Sequence, residues 1–133
     1  MSARKFTAAY AQLAPLALSV LPAIGFQQEV GIERVAARIR ELAWYLRLEL
    51  QRLKGVQVLT PAHPSLWAGI VSFRVPGMEG ESLARQLDER ERIAVSFLKQ
   101  AGAIELMRAG PHIYNDFSDL DRLSGALRRA LRT

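Results

Sequence analysis

The chain has 133 residues, half of them hydrophobic and 23% charged, with a formal net charge of +5 and no cysteine. The length predicts one globular domain with a single core, and the missing cysteine excludes disulfides, thiolate nucleophiles and zinc–thiolate sites. The positive balance does not predict nucleic acid, because arginines interleave with acids (Glu33–Arg34, Arg40–Glu41, Glu49–Arg52, Asp88–Arg92) as on a solvated helix face.

Met1–Lys5 carries two cations and Ala8–Phe26 is mostly apolar, a superficial likeness to a secretory signal. Gln12, Pro15 and Pro22 interrupt that run, no small-residue cleavage site follows, and it falls short of the roughly 20 apolar residues of a membrane span. Neither signal nor membrane anchor is expected. The composition leaves the compartment open, with a cytoplasmic protein the simpler expectation. Thr7–Phe26 is predicted as one or two helical pieces, bent at Pro15 and ended near Pro22–Gly25. This piece is apolar nearly all round, more than a small domain covers. A homo-oligomer or a missing partner domain is therefore expected.

Gly31–Leu53 is the most regular helix, with Ile32, Val35, Ile39, Leu42, Leu46, Leu50 and Leu53 at three- and four-residue intervals. Its polar face carries Glu33, Arg34, Arg38, Glu41, Arg47 and Arg52, and Lys54–Gly55 ends it. Trp44 and Tyr45 read as packing residues. Short strands follow at Val56–Leu59 and Gly69–Val75, separated by the loop Thr60–Trp67, where His63 sits between prolines. Glu81–Glu89 is a short helix, and Ile93–Leu98 and Ala103–Arg108 are two further strands joined through Gln100–Gly102. Leu120, Leu123, Leu127 and Leu131 stripe a final helix, capped at Ser118 or Asn115–Asp116 and ending in Arg128, Arg129 and Arg132.

Strands grouped between helices predict an α+β, two-layer fold: a small, mainly antiparallel sheet of about four strands with helices on one face, plus an apolar N-terminal helix. The one interior boundary lies near Gln27–Gly31, dividing a helical segment 1–29 from a domain 30–133.

The segment Met107–Leu123, MRAGPHIYNDFSDLDRL, is the most informative. Strand parity places Ile104, Leu106 and Arg108 on one face, so Arg108 is expected to continue a core-facing row where the strand ends. A guanidinium there requires an acceptor, because burying it without one costs several kcal/mol. Two readings stand: an internal ion pair with Asp116, Asp119 or Glu105, or a carboxylate brought by a ligand. For His112 the residues predict a turn histidine bonded to nearby backbone, and for Tyr114 and Asn115 a turn closure and helix cap. With His63 and His112 alone, a multi-histidine metal centre is not expected.

The chain resembles the C-terminal small domain of class V aminotransferases, the pyridoxal-phosphate enzymes that include cysteine desulfurases and isopenicillin N epimerase-like proteins. The likeness rests on three stretches in order. Arg4–Phe6 with the apolar helix behind it resembles the segment leaving the large domain, and VGIERVAARIRELAWYLRLEL (Val30–Leu50) resembles the first small-domain helix. AGIVSFR (Ala68–Arg74) resembles the glycine-started central strand, and Met107–Leu123 matches the closing arginine, short turn, His-x-Tyr-Asn and acidic helix start.

The resemblance implies that Arg108 forks onto the α-carboxylate of an amino-acid substrate, with His112, Tyr114 and Asn115 beside the site. A planar guanidinium makes two parallel charge-assisted hydrogen bonds to a carboxylate, which fixes orientation as a lysine does not. It also implies pyridoxal 5′-phosphate in complete family members, held by a larger domain that supplies the Schiff-base lysine. The three lysines here (Lys5, Lys54 and Lys99, in RKF, LKG and LKQ) do not resemble it, and KFTAAY departs from the acid and Gly-Thr pair that the family often carries. No cofactor is thus expected for this chain alone, and no catalysis in isolation. The alternative function is a non-enzymatic α+β interaction module that self-associates through its N-terminal helix.

Overall fold

The structure is a computed structural model describing residues 14–100 and 104–132. Arg4–Phe6, the start of the first helix and most of the Gln100–Gly102 connection lie outside the described residues. The elements are α1 (Ala14–Val30), α2 (Ile32–Gln51), β1 (Gln57–Val58), β2 (Val71–Arg74), α3 (Gly80–Glu91), β3 (Ser96–Gln100), β4 (Ile104–Ala109) and α4 (Phe117–Ala130), with a 3-10 turn at Pro64–Leu66. The chain divides into two compact units between Val35 and Ala36.

In the first unit, α1 corrects the expected break: it runs through Pro22 and Gly25 to Val30. A proline removes one helical hydrogen bond and crowds one carbonyl, which the helical residues on both sides of Pro22 sustain. The stop is instead Gly31, at φ +93, whose N–H donates to the Gln27 carbonyl at 3.0 Å. Only glycine adopts that angle without strain. Leu18 and Leu21 are each 67% exposed and Phe26 is 55% exposed, so this helix presents apolar surface on more than one side.

The second unit is the expected α+β layer pair. Its four strands are antiparallel in the order β1-β2-β4-β3. Alternation along the strands separates two faces. Val71, Phe73, Met107 and Ala109 are buried against Leu42, Leu46 and Leu50 of α2, Leu83 and Leu87 of α3, and Leu120, Leu123 and Leu127 of α4. The opposite face carries Ser72, Arg74, Leu98, Leu106 and Arg108. The parity reading of β4 is therefore inverted: Met107 faces the core and Arg108 faces away. Ile104 and Leu106 suggested the wrong row because Glu105, on the core side, is polar.

Glu105 has structural work at the sheet's far end. Its carboxylate holds the Lys99 ammonium at 2.8 Å and accepts the Gly80 backbone N–H. That contact replaces a cap for α3, since the side chain of its N-cap, Glu79, makes no capping bond. The third strand also differs, beginning at Ser96 rather than Ile93. Arg92, at φ 56, ends α3 with its N–H on the Asp88 carbonyl, and the Ile93 N–H reaches back to Leu87 at 3.1 Å. Ile93 is thereby used to close a helix.

Candidate functional site

Arg108 stands one residue before the end of β4, between the two neighbouring strands. Its register partners are Ser72 on β2 and Ser96 on β3. The side chain is half-buried and makes no hydrogen bond or ion pair with any described residue. The acids that the sequence offered as internal partners are engaged elsewhere. Glu105 holds Lys99. Asp116 Oδ1 accepts from the Ser118 hydroxyl at 2.7 Å and the Asp119 N–H at 3.1 Å. Asp119 accepts from Asn115 Nδ2 at 3.1 Å and the Asp116 N–H at 3.2 Å.

Beside Arg108 lies an open concavity of about 490 Å³, lined by Leu59, Leu66, Trp67, Ile70 and Ser72 together with the guanidinium residue itself. Its wall is the loop between β1 and β2, which no spacing pattern in the sequence connects with Arg108. Trp67 stacks on Trp44 of α2 with ring centroids 6.0 Å apart and planes 5° from parallel. Beneath the loop, Arg47 is buried rather than solvated, correcting its placement on the polar helix face. It donates to the Thr60 carbonyl at 3.4 Å and to Gln51 Oε1 at 2.8 Å, and lies over the Trp44 ring. Thr60 Oγ1 accepts the Ser72 N–H at 2.7 Å and donates to the Ile70 carbonyl at 3.4 Å, tying loop to strand. A methyl group on Gly69 would overlap Cγ2 of Ile39, so the backbone here lies directly on α2.

The segment after Arg108 forms a closed turn. Asn115 donates its N–H to the His112 carbonyl at 2.9 Å, and its Oδ1 accepts the His112 N–H at 3.0 Å. Asp116 caps α4 in a reciprocal capping box with Asp119. Hydrogen bonds from the Ser118 hydroxyl and the Asp119 N–H hold the Asp116 carboxyl below the usual carboxylate range. The His112 ring corrects the expected backbone bonding: it stacks on Tyr114 at 5.0 Å, and its buried Nδ1 meets no hydrogen-bond partner among the described residues. Tyr114 is 81% exposed. Tyr114 and Asn115 line a second concavity of about 330 Å³ with Arg92, Ala109 and Arg122. His63 is the N-cap of the 3-10 turn, its Nδ1 2.7 Å from the Ser65 hydroxyl.

The described residues do not fit a covalent pyridoxal site. Lys99 is paired with Glu105, which raises its pKa and stabilises the ammonium. A lysine that forms a Schiff base is activated in the opposite direction. Lys54 is exposed in the turn after α2. Among the described residues no cluster of three or more histidines and acids is placed to hold a metal ion.

Comparison with known proteins shows the family. The Aminotransferase class-V family matches residues 9–123. The chain belongs to this family. Isopenicillin N epimerase of Amycolatopsis lactamdurans is 38% identical over 112 residues, which cover 84% of this chain and 28% of the epimerase. Among solved structures, the apo cysteine desulfurase of Thermococcus onnurineus superposes with a TM-score of 0.73 at 25% identity, over 82% of this chain and 29% of that one. A C-DES structure with glycine covalently linked to its pyridoxal-phosphate cofactor gives 0.70 at 25% identity, over 80% of this chain and 26% of that one. The chain thus spans less than a third of the length of the curated relatives it matches. Family membership implies pyridoxal-phosphate chemistry in the complete enzymes.

Proposed function

We propose that this chain serves as the small domain of a class V aminotransferase-like pyridoxal-phosphate enzyme, with Arg108 receiving the α-carboxylate of the amino-acid substrate. The observation that carries this reading is a half-buried guanidinium, without a protein partner among the described residues, on the rim of an open concavity. A fork of two charge-assisted hydrogen bonds would fix the carboxylate, and with it the direction of the substrate's Cα bonds. The cofactor would supply the electron sink, and a larger domain its attachment point. Alone, the chain binds and orients; it does not turn over. His112, Tyr114 and Asn115 shape the turn that presents Arg108.

Two measurements test this. Treated with pyridoxal phosphate and then borohydride, the purified chain should yield no stoichiometric adduct at a single lysine; such an adduct overturns the reading. Grafted in place of the matching stretch of the Amycolatopsis epimerase, the chain should show Arg108→Gln lowering kcat/KM by about a hundredfold or more, the worth of one to two charge-assisted bonds. An unchanged kcat/KM removes Arg108 from the site.

A second reading rests on α1, whose Leu18, Leu21 and Phe26 stand exposed. In it the chain is an interaction module that self-associates through this helix. Deleting Met1–Phe26 then converts an oligomer to a monomer by light scattering. An unchanged mass sinks that reading.

A further inference from the structure

Resting on the carboxylate role of Arg108, we infer that the adjoining concavity selects the rest of the ligand: a monocarboxylate with an apolar body, branched or aromatic. Arg108 is the one ionisable side chain among the described residues that line it. A second carboxylate on the ligand's side chain would therefore meet no cation there, and a side-chain ammonium would meet no acid. In a concavity open to solvent such a charge keeps its water and gains nothing, whereas an apolar body gains burial.

Apart from Thr60 and Ser72 the remaining lining is apolar, and its large aliphatic side chains are exposed. Leu59 is 41%, Ile70 44% and Leu66 65% exposed, so a hydrocarbon chain laid against them removes surface from water. The nearby hydroxyl of Thr60 is already spent on the Ser72 N–H and the Ile70 carbonyl. The polar atom of the wall left without a partner among the described residues is Trp67 Nε1, a buried N–H donor. The wall is also held in place before any ligand arrives. Trp67 is stacked on Trp44, and Gly69 lies against Ile39 so closely that no side chain fits between them. A preorganised apolar wall beside the cation discriminates at little ordering cost. The volume of about 490 Å³ has room for a leucine- or phenylalanine-sized group.

The test uses the full chain and its two tryptophans, of which Trp67 lines the concavity. Acetate, 4-methylpentanoate and glutarate are titrated at constant ionic strength, followed by fluorescence and by amide shifts. The branched monocarboxylate should bind more than about tenfold more tightly than either of the others, a difference of about 1.4 kcal/mol. Leu66→Ser with Ile70→Ser, both at exposed positions, should reduce it to the acetate level, and Arg108→Gln should abolish binding of all three.

Equal, Arg108-dependent binding of the three acids overturns the inference and leaves the carboxylate role standing. An apolar preference that survives Arg108→Gln keeps the wall and sinks the carboxylate role. No saturable binding of any acid overturns both.

Discussion

At Arg108 the chemistry depends on side-chain shape as much as on charge. Lysine keeps the positive charge but offers no planar fork. Arg108→Lys should therefore weaken branched-acid binding about tenfold or more while leaving the unfolding midpoint nearly unchanged, because the native guanidinium makes no ion pair with the described residues. Fluorescence titration with urea unfolding separates the two effects. Gly69 offers a second residue-scale prediction. Gly69→Ala forces a methyl group onto Ile39, an overpacking worth about 1–3 kcal/mol. Ile39→Val, which removes part of the obstruction, should recover part of that loss when combined with it. If the double variant is no more stable than Gly69→Ala alone, the close approach is not the cause.

Among the elements, two depend on carboxylates reached from different distances in sequence. Asp116 caps α4 locally, whereas Glu105 crosses from β4 to serve the first turn of α3. Both have folded pKa values below their ordinary ones: Asp116 through the Ser118 hydroxyl and the Asp119 N–H, and Glu105 through Lys99. For a depressed acid, the stabilisation is complete above the unfolded pKa and disappears as pH falls through the folded one. The thermal midpoint should therefore decline on acidification below about pH 4.5, the ordinary carboxylate range. Glu105→Gln should flatten part of that decline and lower the midpoint at neutral pH. Asp116→Ala should lower it by a few degrees, as loss of a helix cap does. A midpoint in either variant equal to the native one at neutral pH contradicts these roles.

The same comparison explains which elements were legible in the sequence. The leucine periodicity of α2 and α4 was readable because a helix repeats its burial every three to four residues over many turns. The order of strands and helices was readable for the same reason, and it carried the two-layer α+β architecture. A strand of six residues offers only three per face, so one polar residue in a functional structural role changes the count. Glu105 does so in β4, where parity counted from Ile104 and Leu106 points the guanidinium to the wrong side. The wall of the concavity lay further out of reach. Leu66, Trp67 and Ile70 meet Arg108 only through a β2–β4 pairing between residues more than thirty positions apart, and one-dimensional spacing holds no record of that pairing.

For the whole chain, the family match over residues 9–123 and the cover of under a third of its relatives' length set the expectation that the proposed site is completed by other residues. No described helix is long and apolar enough to cross a membrane. The four-stranded sheet, with core residues on one face and Ser72 and Arg108 on the other, divides mutational tolerance in a way that a library would reveal. If every position of β2 and β4 is scored separately for cellular abundance and for acid capture, Val71, Phe73, Met107 and Ala109 should limit abundance. Ser72 and Arg108, interdigitated with them, should limit capture alone. Selection on the two traits would then act on neighbouring codons almost independently, so the ligand preference of this fold can drift without endangering its folding.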